Sequence, residues 1–177
     1  MPPSRIPYAS GVTSSTFRCG SCDQQHDGPP FAYAVPAPAY WSSDLEQRPG
    51  NVLEAEQCKI GDHFFLRARL VLPVLDAEED FEWGVWISVS APSYDRIVEM
   101  WGNPDRAEEP PYFGWLSNEL PLYEPSTLEL KTKLHTQPLG IRPLVELEPT
   151  DHPLAVEQRT GVTMARVREI AEWHLHL

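Results

Sequence analysis

Cys19 and Cys22 stand in Cys-x2-Cys spacing, His26 follows four residues on, and Cys58 is the last of three cysteines. Such a turn lets two thiolates converge on one ion, and zinc then completes a tetrahedron with two further nitrogen or sulfur ligands. His26 and Cys58 take those places in this reading, with 17–28 as a zinc knuckle. His63 competes with either of them, because Gly61 and Asp62 form a turn that can bring the chain back past the knuckle. An odd number of cysteines fits a reducing, cytoplasmic compartment better than a disulfide framework. A redox pair would join a strand to a helix, and no helical periodicity follows Cys22. The expected zinc is structural, since a thiolate-rich ligand set is normally closed and catalytic zinc keeps one position open.

A second polar cluster lies at Asp151, His152, Glu157 and Arg159. Asp151 or Glu157 beside His152 is a candidate general acid/base group, but no nucleophile accompanies it and His-x4-Glu is not the His-Glu-x2-His pattern of zinc proteases. Capping explains the same residues without chemistry: Pro153 suits a first helical turn, and Asp151 is expected to accept an amide hydrogen bond there. The stretch 111–121, Pro-Tyr-Phe-Gly-Trp-Leu-Ser-Asn-Glu-Leu-Pro, reads as an aromatic loop. Phe113 and Leu116 are assigned to the core, and Tyr112 and Trp115 are candidates for a binding surface.

These groups need a scaffold, and alternation supplies it. Phe64, Leu66, Ala68, Leu70, Leu72 and Val74 share one parity over 63–74, and Phe81, Trp83, Val85, Ile87 and Val89 share one over 81–90, the period-two mark of half-buried strands. Burying both faces together pairs even positions with odd ones. Val74 is expected opposite Phe81 and Leu70 opposite Val85, which sets Arg69 against Trp86 on the outer face and adds both to the candidate binding surface. Residues 56–60 form a hairpin partner to 63–74, and a helix covers 93–101. A second hairpin, 128–134 with 141–147, places Lys131 and Lys133 against Glu146 and Glu148. Helices follow 153 and Thr163, the first stopped by Gly161. Strands first and helices last give an α+β fold, a single domain over 16–177 whose antiparallel sheet is built from hairpins, behind a flexible arm at 1–15.

The chain has 177 residues, 19 of them proline, so ordered loops are extensive. Its 26 acidic against 14 basic residues give a formal charge of −12, which repels phosphate backbones and anionic membranes. Nucleic acid and membrane partners are therefore not expected, nor does 1–15 hold an apolar segment to serve as a signal peptide.

Four segments carry a resemblance: Phe17-x-Cys-x2-Cys with its histidine, Trp83-Gly-Val-Trp-Ile-Ser-Val-Ser90, Phe113-Gly-Trp-Leu-x-Asn118, and Leu147-Glu-Pro-Thr-Asp-His-Pro-Leu-Ala-Val-Glu-Gln-Arg159. Together they resemble the bacterial domain-of-unknown-function family 2199, whose pattern implies no activity, substrate or catalytic residue. The family knuckle resembles Cys-x2-Cys-Gly-x2-His, and Asp23 stands here at the glycine. The expectation is a cytoplasmic, zinc-stabilised module that binds an unknown protein or small ligand. The alternative is an enzyme using His152 with Asp151 or Glu157 beside 111–121.

Overall fold

The structure is a computed structural model that describes residues 16–176, so the arm expected at 1–15 lies outside the described residues. Its first elements are β1 (Phe17–Arg18) and β2 (Gln25–His26), a small antiparallel hairpin, and β3 (Ala32–Ala34). β4 (Val52–Leu53), β5 (Gln57–Ile60), β6 (His63–Leu72) and β7 (Phe81–Val89) follow. After α1 (Ala91–Glu99) come β8 (Tyr112–Leu116), β9 (Lys131–His135), β10 (Leu144–Leu147), α2 (Pro153–Thr160) and α3 (Met164–Leu175).

The fold is α+β, but its sheet is not the simple antiparallel sheet expected. Strands β6 to β10 pair in succession and β10 returns to β6, closing a five-stranded barrel. An odd number of alternating strands can close only through one parallel junction. That junction is β10 with β6, where Leu144 sits opposite Arg69 and the Arg69 amide donates to Pro143 O at 2.8 Å. Closure leaves these five strands without a free edge in the ring. The two long strands extend beyond it: β3 adds to β7 in parallel, and β5 with β4 adds to the first part of β6.

The parities read from sequence hold. Leu66, Leu70, Val85, Ile87 and Val145 are buried together, with Leu130 packed against them, and Ile97, Leu154, Val167 and Ile170 of the helices join the same core. The register differs by two residues. Leu70 faces Trp83 and Leu72 faces Phe81, so Arg67, not Arg69, lies across from Trp86, its guanidinium 5.7 Å from the indole. The cause is the connection 73–80, which leaves the hairpin early: Val74 bridges Val162 instead, and Asp76 accepts the Met164 amide at 2.7 Å. That carboxylate, rather than the Thr163 side chain, satisfies the first amide of α3.

The stretch 111–121, expected as a loop, contains β8. Its alternation buries Gly114 and Leu116 and turns Phe113 outward at 54% exposure, which corrects the assignment of Phe113 to the core. Ile141 is likewise outside, at 42%. Gly114 is a close approach: a Cβ there would meet Ile87 Cγ2 at 2.5 Å and Ser88 O at 2.7 Å. Gly114→Ala is therefore expected to destabilise by about 1–3 kcal/mol through forced movement of β7 against β8. An unchanged urea midpoint would contradict that packing.

Candidate metal centre and ligand cleft

The knuckle forms because β1 and β2 place Phe17 opposite His26 and the intervening turn folds back on itself. The Asp23 amide donates to Cys19 O at 3.0 Å and the Cys19 amide to Gln24 O at 2.9 Å. Asp23 has φ of 61°, left-handed backbone that favours glycine and that Asp tolerates better than most residues. The last helix docks on this turn. The Gly20 amide donates to Glu172 Oε1 at 2.8 Å, Ala171 packs with Phe17 and Cys19, and the His174 ring stacks on Tyr33 at 3.8 Å.

That docking brings in a residue the sequence reading did not name. His176 Nε2 lies 3.0 Å from Cys19 Sγ, and the donor atoms of Cys19, Cys22 and His176 all fall within 4.8 Å of one another. His26 Nε2 is 3.2 Å from Cys22 Sγ but falls outside the 4.8 Å group formed by the other three donors. Two sulfurs and two imidazole nitrogens are a donor set suited to tetrahedral zinc. Burial pushes the Cys19 thiol up, but the His176 ring, the Ser21 and Cys22 amides and the Cys22 thiol outweigh it and bring it down to about 6. A group so depressed is thiolate above that pH and is neutralised as pH falls through it. The metal-free protein is thus expected to lose its Cys19 thiolate absorbance, as pH falls, with a midpoint of about 6.

Cys58, expected as a fourth ligand, is not brought to this group. It packs with Phe65 and Trp86 in a separate cluster on the outer face of the barrel, and burial pushes its thiol up to about 11. His63 opens β6 and borders a cleft with Phe65, Ser88 and Trp115.

His152, not the expected Asp151, caps α2. His152 Nδ1 accepts the Leu154 amide at 3.1 Å and caps α2, while Nε2 donates to Pro125 O at 2.8 Å. This pair of bonds requires the neutral tautomer protonated on Nε2. Asp151 is exposed and makes no cap bond. Glu157 accepts from the Tyr123 hydroxyl at 2.7 Å and from Arg166 Nε at 2.8 Å. His152 and Glu157 therefore serve different contacts and do not converge on a shared substrate position. His152→Ala should lose the cap, worth about 1 kcal/mol, and strand the Pro125 carbonyl at about 1–3 kcal/mol more. His152→Asn keeps an acceptor for Leu154 and should recover part of the loss in urea unfolding.

The other surface candidates divide. Trp86 is fully buried, its Nε1 donating to Val35 O at 3.1 Å and its amide to Asn118 Oδ1 at 2.7 Å, so it is outer-face core rather than binding surface. Arg69 pairs with Glu82 at 2.8 Å. Tyr112 donates to Glu109 at 2.7 Å, and burial with that carboxylate pushes its phenol up. Arg69 nevertheless borders two open grooves, and Trp115 is presented at a cleft with Tyr40, Phe65 and Glu129. The family model described as "Uncharacterized protein conserved in bacteria", DUF2199, matches residues 18–162.

The chain belongs to that family. No curated protein and no solved structure matches it. The DUF2199 match includes Cys19, Cys22, His26 and His152, whereas His176 and the whole of α3 lie beyond it. Several residues of the resembling segments have structural tasks: Trp86 and Asn118 bond one another, Gly114 admits β7, and His152 caps α2. Among the described residues no helix is long and apolar enough to cross a membrane.

Proposed function

We propose that this member of DUF2199 is a cytoplasmic binding module in which a structural zinc, held by Cys19, Cys22, His26 and His176, fastens the N-terminal hairpin to the C-terminal helix. The observation that carries this reading is the meeting of Cys19 with His176, at 3.0 Å across 157 residues of sequence. Four protein ligands would close the coordination sphere, which supports a structural ion over a hydrolytic one. The commitment of His152 to Leu154 and Pro125, and of Glu157 to Tyr123 and Arg166, supports binding over acid/base catalysis. The formal charge of −12 supports a protein or small-molecule partner over nucleic acid or an anionic membrane.

Elemental analysis of protein purified without chelator tests this. About one zinc per chain is expected, retained in Cys58→Ser and lost in Cys22→Ser. Metal-free wild-type protein, or loss of zinc only in Cys58→Ser, would overturn the assignment.

A further inference from the structure

The outer face of the barrel carries a row in which Cys58 and Phe65 are buried while Ser88 and Trp115 stay partly open. Strand pairing sets Cys58 beside Phe65, Phe65 beside Ser88 and Ser88 beside Trp115, and residues so aligned share one face of the sheet. Ser88 is the small member of the row, so space remains above it between the Phe65 ring and the Trp115 indole. Tyr40 enters from the segment after β3 and lies over Phe65 with centroids 6.0 Å apart. Ile60 and His63, flanking the β5–β6 turn, and Glu129 complete the lining. The enclosed space is about 460 Å³, within the ~300–1,000 Å³ of small-ligand sites.

Glu129 is the only carboxylate of this lining, and no lysine or arginine lines it. It is a non-glycine residue at φ 63°, fixed there by its amide's bond to Leu116 O at 2.8 Å. Lys131, next in the row beyond Trp115, reaches towards Glu148 at 4.0 Å. Burial and the Glu129 charge push the Tyr40 phenol up, consistent with a carboxylate standing beside the aromatic rings. Aromatic faces attract cations through their quadrupole, and a carboxylate at the rim adds a direct charge. The strongly negative chain favours the approach of cations as well.

We propose that the cleft of Tyr40, Phe65, Ser88, Trp115 and Glu129 binds an alkylammonium group, carried either by a free quaternary amine or by a methylated lysine side chain. This deepens the binding-module reading and rests on it for the view that the cleft is used for recognition.

The test is calorimetric titration of the full-length, metal-containing protein with choline, with a peptide bearing trimethyllysine, and with choline's uncharged isostere, in which a tert-butyl group replaces the trimethylammonium. At least one cation is expected to bind, and the isostere to bind at least about tenfold more weakly. Trp115→Ala and Glu129→Gln should each weaken the cation by about 3- to 30-fold while leaving the melting temperature near that of wild type. Binding of choline but not the peptide supports a free amine, and binding of the peptide alone supports a protein partner. Equal binding of the isostere, absence of binding by either cation to folded protein, or indifference to both substitutions would overturn the proposal. Zinc content measured on the same samples separates the two readings: cation binding without zinc sinks the staple alone, and zinc without cation binding sinks this inference alone.

Discussion

Removal of the metal is expected to cause the largest loss of stability. Chelation, or Cys22→Ser, should lower the melting temperature and free α3 from the knuckle, because an ion joining residues 19 and 176 closes almost the whole described chain into one loop. Apparent binding energies of structural zinc are on the order of 10–16 kcal/mol in small domains folded by the metal. Here the barrel core is built from residues that take no part in the metal site, so the expected outcome is a destabilised and partly opened protein, not an unfolded one. His176→Ala should reproduce much of the effect, whereas Cys58→Ala should leave the metal in place. Near-identical melting of zinc-bound and zinc-free protein would contradict the staple.

Leu70→Ala is expected to cost about 2–5 kcal/mol, since Leu70 is fully buried in the centre of β6 and faces Trp83 across the hairpin. For a chain of this size that corresponds to a fall of roughly 4–20 °C in melting temperature. The matched control is Val71→Ala, on the opposite parity and only half-buried. Comparable losses at the two positions, read from urea midpoints, would show that the inward face has been misassigned.

How legible the fold was follows from where its information lies. The alternation of Phe64 to Leu72 and of Phe81 to Val89 is local, so strand identity and inward face could be read directly. The Lys131/Glu148 and Lys133/Glu146 pairing could be read as well, and both pairs stand at 4.0 Å. Register was not local: it depends on Val74 leaving to bridge Val162, a contact set by the docking of the helices. Barrel closure rests on Arg69 meeting 143–144, a junction that no pattern within either segment announces. β8 was hidden because Pro110 and Pro111 precede it and both of its faces carry apolar residues, Phe113 and Trp115 outside and Leu116 inside.

The site was legible in part for similar reasons. Cys-x2-Cys and His26 lie within one turn and advertise themselves by spacing. His176 has no spacing relation to them and reads as the end of a helix; only the faces of α3, with Ala171 towards the knuckle, offered a signal. A buried structural thiol and a ligand thiol look alike in sequence, which is why Cys58 was misplaced. Asp151 is the cap that the sequence suggests, because carboxylates are the commoner caps, whereas His152 takes that place. The buried Arg106, whose guanidinium bonds the carbonyls of Trp101, Gln137, Pro138 and Ile141, went unnoticed in what looked like an acidic loop.

X-ray absorption at the zinc edge, on protein purified without chelator, tests the central claim most directly. The account predicts a four-coordinate ion with about two sulfurs at ~2.3 Å and two imidazole nitrogens at ~2.0–2.1 Å. One nitrogen should be lost from the fit in His176→Ala. A shell of three sulfurs, which would require Cys58, or a spectrum unchanged by His176→Ala, would contradict it.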